Sequence, residues 1–383
     1  MFYTAVAIPI LIIVVVNQLM RTRRKRKGLP LPPGPEGLPI VGNAFQMPVE
    51  WEHLKYMEWG KQYGDIIYLT VFSQPFVVLN SAKLAIEMLE KKSAIYSDRP
   101  RLKFGGEMVG WNRTLALLPY GSRFREFRRL MHQAVGGRTQ IKRFDEFREK
   151  QTHKFLKIIL QNPEGFYLQL RKTISSIVLN FSHGYEVEDG SDPVINKVED
   201  ALNQLSILFR PQTFLVDALP FLRFLPAWFP GAGFKNTAKA WRRTLDDMTY
   251  VPWEYLKARM ANGTNLPNYS SGLLENERYE DDKDDIIKWS ASSLYSGGSD
   301  TTVPTVRCFW FAMTLYPEVQ RKAQEELDRV VGTDRLPTFA DRENLPYLEA
   351  LVTEVHRWNP VAPMAIRSRG NALSLHALRR QRR

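Results

Sequence analysis

The pattern of apolar and polar positions begins with an uninterrupted apolar run. Residues 1–20 carry no charged side chain and are mostly Ile, Val, Leu, Phe and Ala. About 20 such residues, as a helix, match the roughly 30 Å hydrocarbon core of a bilayer. A signal peptide needs a basic start and a small-residue cleavage site, and this run has neither. An uncleaved transmembrane anchor is therefore favoured over a signal peptide or a buried core helix.

Positive charge and then proline follow the apolar run. The positive charges are Arg21, Arg23, Arg24, Lys25, Arg26 and Lys27. The positive-inside rule places everything after them in the cytoplasm, so we expect a single-pass membrane protein with its body on the cytoplasmic side. The segment 28–35 has four prolines in eight residues, which predicts a stiff, non-helical spacer. Residues 21–35 are thus a basic flank and hinge.

Helical periodicity dominates the body at 36–366. Apolar residues recur at helical spacing over 50–63, 81–92, 122–183, 284–316, 318–331 and 346–358. Two β-branched and aromatic runs, 66–71 and 75–79, predict a hairpin. We therefore expect a mainly α fold with a small N-terminal β-sheet, preceded by one transmembrane helix.

One segment of the body, 211–234, is dense in proline and large apolar residues. Such a segment is either buried under the fold or an exposed patch that meets a membrane. Burial is favoured as the ordinary outcome. The N-terminal anchor supports the second interpretation, because it already holds the body against a bilayer.

Composition and charge narrow the function. The net charge is +12, but the two basic ends, 21–27 and 367–383, account for all of it, with six positive charges each and no acid. A neutral body argues against a nucleic-acid-binding face. The single cysteine, Cys308, excludes an internal disulfide and a Cys-based metal cluster held by this chain alone.

Three local patterns suggest chemistry. Gly297-Gly-Ser-Asp-Thr-Thr302 lies inside the long helical stretch. One interpretation is a helix break with an N-cap. The other is the middle of one continuous helix, where the lack of side chains lets a bulky group lie against the backbone and where an acid and a hydroxyl relay protons. Glu354-Val-His-Arg357 is most simply a surface ion pair. The stretch from Tyr120 to His132 is a basic helix start that holds an anionic group, or a charged face.

Together these patterns resemble one family, the cytochrome P-450 haem-thiolate monooxygenases. The resemblance rests on the anchor, the Pro-Pro-Gly-Pro hinge, the Gly-Gly-Ser-Asp-Thr-Thr helix and Glu-x-x-Arg before Asn359-Pro360. The segment Asp217–Lys235 resembles the fungal O-methylsterigmatocystin oxidoreductase-like group. The resemblance implies the P-450 fold and a haem (heme) cofactor. It also implies a membrane-bound, NADPH-dependent reductase as electron donor, and insertion of one oxygen atom from dioxygen into an apolar small molecule.

The resemblance also assigns residues to the oxygen-binding side of the haem. Asp300 and Thr301 match the acid–alcohol pair that delivers protons to iron-bound dioxygen. Gly297 and Gly298 match the small pair that lets oxygen and substrate approach. Pro304 departs from the expected pattern: it removes the backbone donor to the carbonyl of Asp300 and predicts a kink.

Residues outside the long helix are assigned in the same way. Arg128 matches the arginine that pairs with a haem propionate, although Phe124 stands where the family usually has Trp. Glu354 and Arg357 match the buried pair that locks the haem-proximal core.

The largest departure is the proximal ligand. No Phe-x-x-Gly-x-Arg-x-Cys loop occurs, and Cys308 is interpreted as a small buried hydrophobe. The resemblance stops at about residue 366, so the fold is expected to be incomplete at its C-terminus and 367–383 to be an aberrant basic tail from a shifted or read-through frame. A thiolate supplies the electron push that cleaves the O–O bond. The alternatives are therefore a catalytically inactive membrane-anchored remnant, or a structural protein whose Gly-Gly-Ser-Asp only caps a helix.

Overall fold

The structure is a computed structural model, and it describes only part of the chain. The described residues are 30–72, 74–188, 192–210, 213–275, 283–364 and 368. The expected anchor, its basic flank and almost all of the tail lie outside them. Within the described ranges, no helix combines the length and the apolar character needed to cross a bilayer. The transmembrane helix therefore stays a prediction.

The described chain is mainly helical with one antiparallel hairpin, as predicted. Its helices are α1 (Glu52–Tyr63), α2 (Ala82–Ala85), α3 (Ser93–Tyr96), α4 (Ser122–Val135), α5 (Arg138–Lys142), α6 (Asp145–Gln161), α7 (Phe166–His183), α8 (Pro193–Phe209), α9 (Leu215–Ala218), α10 (Phe234–Ala261), α11 (Tyr269–Leu274), α12 (Lys283–Leu315), α13 (Pro317–Val330) and α14 (Pro346–Trp358). The strands are β1 (Ile66–Val71) and β2 (Gln74–Leu79). Two π-helical segments, Ile86–Lys91 and Lys103–Val109, interrupt the α-helical pattern.

Two compact units divide the chain. Of the described residues, the first unit contains those from 30 to 100 and those of the segment Leu208–Pro226, and so holds the hairpin. The second contains Arg101–Ile207 and Ala227–Ile366, and so holds the long helices α7, α10 and α12.

In the first unit, the proline-rich hinge packs against the hairpin. Ile66 lies opposite Leu79 in the antiparallel register. The Tyr68 amide donates a 2.9 Å hydrogen bond to the carbonyl of Pro33. A Cβ on Gly34 would lie 2.1 Å from the Tyr68 carbonyl oxygen, so only glycine allows this close approach. The described part of the hinge, 30–35, contains no helical turn, as its prolines predict.

Helix α12 is the axis of the second unit, and α7 packs along it in the opposite direction. The side chain of Val178 faces Gly298, the Arg307 guanidinium lies 4.6 Å from the Tyr167 ring centroid, and the Trp310 and Phe166 rings lie 4.9 Å apart. Between these contacts, Val303 is buried with Phe155 and Leu170.

The helix runs unbroken through its two glycines and through Pro304. The interpretation of Gly-Gly-Ser-Asp as a helix break with an N-cap is therefore wrong. The apolar periodicity on both sides of the glycines supplies enough packing to carry the helix across them.

The apolar segment 213–234 is largely exposed, contrary to the favoured expectation of burial. Val216 is buried, whereas Phe221, Phe224 and Trp228 are 62%, 73% and 81% exposed. The segment forms only one short helix and a 3₁₀ turn, Pro220–Phe224. Its prolines prevent a continuous amphipathic helix that could turn every ring inward.

The close contact between Gly34 and Tyr68 predicts that a larger residue at position 34 destabilises the protein. We expect Gly34→Ala to lower the free energy of unfolding by roughly 1–3 kcal/mol, because the new methyl group overlaps the Tyr68 carbonyl. Gly233→Ala is the matched control: Gly233 has helical dihedral angles and no atom within 4 Å of its Cβ position. It should be neutral or slightly stabilising. Urea unfolding of both variants tests this, and equal midpoints would contradict it.

Candidate functional site

The two glycines in the middle of α12 lie in different surroundings. A Cβ on Gly298 would lie 3.1 Å from Val178 Cγ1, whereas a Cβ on Gly297 would meet no atom within 4 Å. Gly298 therefore lets α7 approach closely, and Gly297 leaves an open strip of backbone. The predicted pair of small residues divides into one packing position and one open position.

Threonine hydroxyls line the helix beside this open strip. Thr301 Oγ1 donates a 2.8 Å hydrogen bond to the carbonyl of Gly297, and Thr302 Oγ1 donates one of 2.7 Å to that of Gly298. Thr301 is exposed and lies one turn after Gly297, on the same face. Because its proton points into the helix, its oxygen keeps free lone pairs that can accept from a bound group or water.

The carboxylic acid of the site is the side chain of Asp300. The residue is exposed overall, while partial desolvation of the carboxyl raises its pKa. The Arg171 guanidinium opposes this and lowers the pKa, but the net direction is upward. A carboxylic acid with a raised pKa holds its proton closer to neutral pH, as a proton donor requires.

Arg128 presents a free cation on α4. It is exposed, and its side chain makes no hydrogen bond or ion pair with another residue of the described ranges. Other arginines of α4 are engaged: Arg123 pairs with Asp285 at 2.6 Å, and Arg129 with Glu126 at 2.6 Å. Phe124 is buried on the same helix. Arg128 is thus available to an anionic group, and its pairing with a haem propionate stays a prediction.

Glu354 and Arg357 form their ion pair, but the expected burial is wrong. Arg357 Nε lies 2.7 Å from Glu354 Oε2, and the two side chains are 72% and 52% exposed, Arg357 first. The opposite face of α14 packs into the core through Leu351 and Val355, which leaves the pair on the outer face. The hydrogen bond from Arg357 lowers the pKa of Glu354.

Cys308 belongs to the same apolar cluster and is a structural residue, as predicted. It is buried with Ala312, Met313, Leu351 and Val355. Across the described ranges, no group of three or more His, Cys, Asp or Glu side chains is placed to hold a metal ion.

These features are those of a known family. The family model for cytochrome P450 matches residues 32–371. The chain belongs to the cytochrome P450 family. Curated relatives of this P450 carry monooxygenase names. The chain is 48% identical to cytochrome P450 monooxygenase 208 of Postia placenta over 355 residues, which cover 93% of this chain and 69% of the relative.

Two further fungal P450s extend the comparison. The chain is 46% identical to cytochrome P450 monooxygenase claR of Ampulloclitocybe clavipes, over 88% of this chain and 63% of the relative. It is 39% identical to cytochrome P450 monooxygenase ppsD of Aspergillus oryzae, over 91% of this chain and 66% of the relative. The chain thus spans about two thirds of the length of these relatives.

The family implies haem, and the residues of this P450 fit one of its faces. The open backbone at Gly297 admits a flat group, Arg128 is free to bind a carboxylate of that group, and Thr301 faces the same opening. The described residues contain no axial thiolate, because Cys308 is packed inside an apolar cluster. The middle of α12 thus leaves room for such a group at Gly297 and Thr301, and the assignment of Arg128 to it stays a prediction.

The sequence analysis missed two residues that shape this site. Val178 closes one side of Gly298, and Arg171 acts on Asp300. Neither belongs to a local motif, because each acts from α7, more than 100 residues away from α12 in the sequence.

The surroundings of the two glycines predict that the same substitution destabilises the protein more at Gly298 than at Gly297. Gly298→Val should destabilise the protein by roughly 1–3 kcal/mol more than Gly297→Val, because only the first side chain meets Val178. Both changes alter helix propensity equally, so each is the control for the other. Thermal unfolding of the two variants measures the difference, and equal melting temperatures would show that α7 does not approach Gly298 closely.

Proposed function

We propose that this P450 is a haem-thiolate monooxygenase that inserts one oxygen atom from dioxygen into an apolar small molecule. The observation that carries the proposal is the middle of α12, where an open backbone at Gly297, the acid Asp300 and the hydroxyl of Thr301 lie within one helical turn. The monooxygenase names of the relatives support it.

Asp300 and Thr301 have different roles in the proposed delivery of protons. Asp300 is exposed, so its carboxyl exchanges protons with solvent, and desolvation raises its pKa in the direction that a proton donor needs. Thr301 offers a hydroxyl oxygen on the face of the opening and accepts a hydrogen bond there. When bound, haem supplies the redox-active iron that activates dioxygen.

Arg128 is proposed to hold the cofactor by its charge. A guanidinium without an internal partner forms a strong, directional pair with a carboxylate such as a haem propionate. The electrons come, by family, from an NADPH-dependent reductase, and the substrate is an apolar small molecule.

The inactive-remnant alternative rests on the missing thiolate loop, since the single cysteine, Cys308, is packed in an apolar cluster. The family match adds nothing to that alternative. The structural-protein alternative required the glycine motif to end a helix, and α12 continues through it.

The function is tested by an optical measurement on the chain reconstituted with haem. A reduced carbon-monoxide spectrum with a thiolate-type band, together with oxidation of an apolar substrate, supports the proposal. Loss of haem on gel filtration, or a spectrum without that band, contradicts it for the chain as given.

Arg128 provides a quantitative prediction. We expect Arg128→Ala to weaken haem retention roughly tenfold or more, because a charge-assisted hydrogen bond contributes about 1.5–3 kcal/mol. Arg125→Ala is the control: Arg125 is exposed on the same helix, with its guanidinium 5.8 Å from the Tyr120 ring centroid. Transfer of haem from both variants to apomyoglobin measures the effect. Equal transfer rates would remove Arg128 from the site.

We also propose membrane attachment, through the apolar residues 1–20, with the body on the cytoplasmic side of the endoplasmic reticulum. The exposed rings of Phe221 and Phe224 support a second contact with lipid, because large apolar side chains on a surface bind the interfacial region of a bilayer.

This second contact makes a prediction for a chain without residues 1–27. That chain should still sediment with liposomes, and Phe221→Asp with Phe224→Asp should abolish binding, since charge at the interface disfavours insertion. Leu160→Asp is the control, because Leu160 is a single exposed apolar residue on α6. Equal sedimentation of all three proteins would contradict a lipid contact at these rings.

A further inference from the structure

Segment 103–118 lies against two helices of the second unit. The Phe104 and Trp241 ring centroids are 5.6 Å apart, which joins the first half of the segment to α10. The Leu115 amide donates a 3.0 Å hydrogen bond to Ser293 Oγ, which joins the second half to α12. The segment consists of a π-helical stretch, a 3₁₀ turn and loop. Such short elements have little stability of their own, so contacts with α10 and α12 hold the segment in position.

Arg113 makes contacts with both helices at once. Its Nη2 lies 2.7 Å from Asp246 Oδ1 of α10, and its guanidinium carbon lies 4.0 Å from the centroid of the Trp289 ring of α12. Its Nε donates a 3.2 Å hydrogen bond to the carbonyl of Gly110 within the segment. A planar guanidinium can stack on a ring and donate hydrogen bonds in its own plane at the same time. One side chain thus joins segment 103–118, α10 and α12.

Gly110 is the point in the segment against which Arg113 packs. Its φ of +107° lies in the left-handed region, and a Cβ at this position would lie 2.6 Å from Arg113 Nη2. Only glycine therefore suits both the backbone and the packed guanidinium. The 3₁₀ turn begins directly after it, and Thr114 Oγ1 donates a 2.8 Å hydrogen bond back to the carbonyl of Trp111. The position of the residues that follow is thereby tied to Arg113.

The segment reaches α12 one turn from the open backbone at Gly297. Ser293, Gly297 and Thr301 recur every four residues, so they lie along one face of the helix. Ser293 Oγ donates its proton to the carbonyl of Trp289 at 2.6 Å, which leaves its lone pairs for the Leu115 amide. Four residues correspond to about 6 Å along the helix axis. The segment therefore bounds the opening at Gly297 on its N-terminal side.

We propose that Arg113 is a positioning residue, which fixes segment 103–118 against α10 and α12 and so limits the size of the opening at Gly297. This inference rests on the proposed function, in which that opening receives the cofactor and the apolar substrate. Without the Arg113 contacts, the segment moves away from α12 more often, and the opening then admits bulkier molecules. Arg113 thus helps to determine which substrates fit.

The first measurement is hydrogen–deuterium exchange of the full chain, followed by mass spectrometry. We expect Arg113→Gln to speed amide exchange in segment 103–118 about tenfold, because a partly buried ion pair and a cation–π contact are lost together. Arg113→Lys, which keeps the charge, should restore part of the protection. Peptides from α13 should exchange as in the wild-type protein. An equal rise in α13 would mean general destabilisation and would overturn the proposal.

Lys257→Gln is the matched control for the loss of an ion pair between the same two helices. Lys257 Nζ of α10 lies 3.2 Å from Asp284 Oδ2 of α12, and 6.0 Å from the centroid of the Trp253 ring. This ion pair does not involve segment 103–118, so the variant should leave exchange there unchanged. No effect of Arg113→Gln, or the same effect from Lys257→Gln, overturns the proposal.

The second measurement reports the size of the opening. Gly297→Cys places a thiol in it, and that thiol is labelled with N-ethylmaleimide or with the much bulkier fluorescein maleimide. We expect Arg113→Gln to raise the rate for fluorescein maleimide about tenfold, in step with the exchange, and to leave the rate for N-ethylmaleimide nearly unchanged.

Two controls accompany the labelling. Phe311→Cys places a thiol about four turns further along α12, at a position that is 58% exposed, and Arg113→Gln should change neither rate there. The chain without an added thiol gives the background from the buried Cys308. If Arg113→Gln leaves the ratio of the two rates at Gly297→Cys unchanged, Arg113 has only a structural role and the proposal is overturned.

Both measurements are independent of the optical test of the proposed function, because neither needs haem or turnover. Tenfold changes in exchange and labelling without a haem spectrum would keep the role of Arg113 in the opening and remove the proposed chemistry. A haem spectrum of the expected type without those changes would keep the proposed function and overturn this inference.

Discussion

The close packing of α7 against α12 at Gly298 is the constraint on which the described part of the site depends. A helix interior disfavours glycine by about 1 kcal/mol relative to alanine, yet this position cannot accept a larger residue without moving Val178. The approach that glycine permits buries Val303 with Phe155 and Leu170. That burial keeps α12 helical through two glycines and a proline.

The same packing determines what each face of α12 does. One face lies against α7, where Val178 meets Gly298. The neighbouring face stays open at Gly297, where Thr301 turns its proton into the helix and leaves its oxygen outside. An acid and a hydroxyl adjacent in sequence thus meet different surroundings, because consecutive helix residues are about 100° apart around the axis.

Much of the fold follows from local pattern. The hairpin, the helix from Pro346 and the continuity around Gly297 are predictable because apolar spacing and proline act over a few residues. The resemblance wrongly implied burial of Glu354 and Arg357, whereas their spacing by itself indicated the surface ion pair that is observed. Their spacing specifies an ion pair, but which face of α14 turns inward depends on Leu351 and Val355 meeting α12. The exposure of Phe224, the less favoured of two alternatives, has another origin, because the prolines of its segment prevent a continuous amphipathic helix that could turn the ring inward.

The sequence by itself determined most of the elements and the family, and by resemblance it assigned the acid–alcohol pair, since these rest on residue type and short spacing. Only the tertiary structure decided that Gly298 is a packing position while Gly297 is open, and that Arg128 has no partner in the described ranges. Each of these depends on side chains brought together by helix packing, and no local sequence pattern encodes the partner across such an interface.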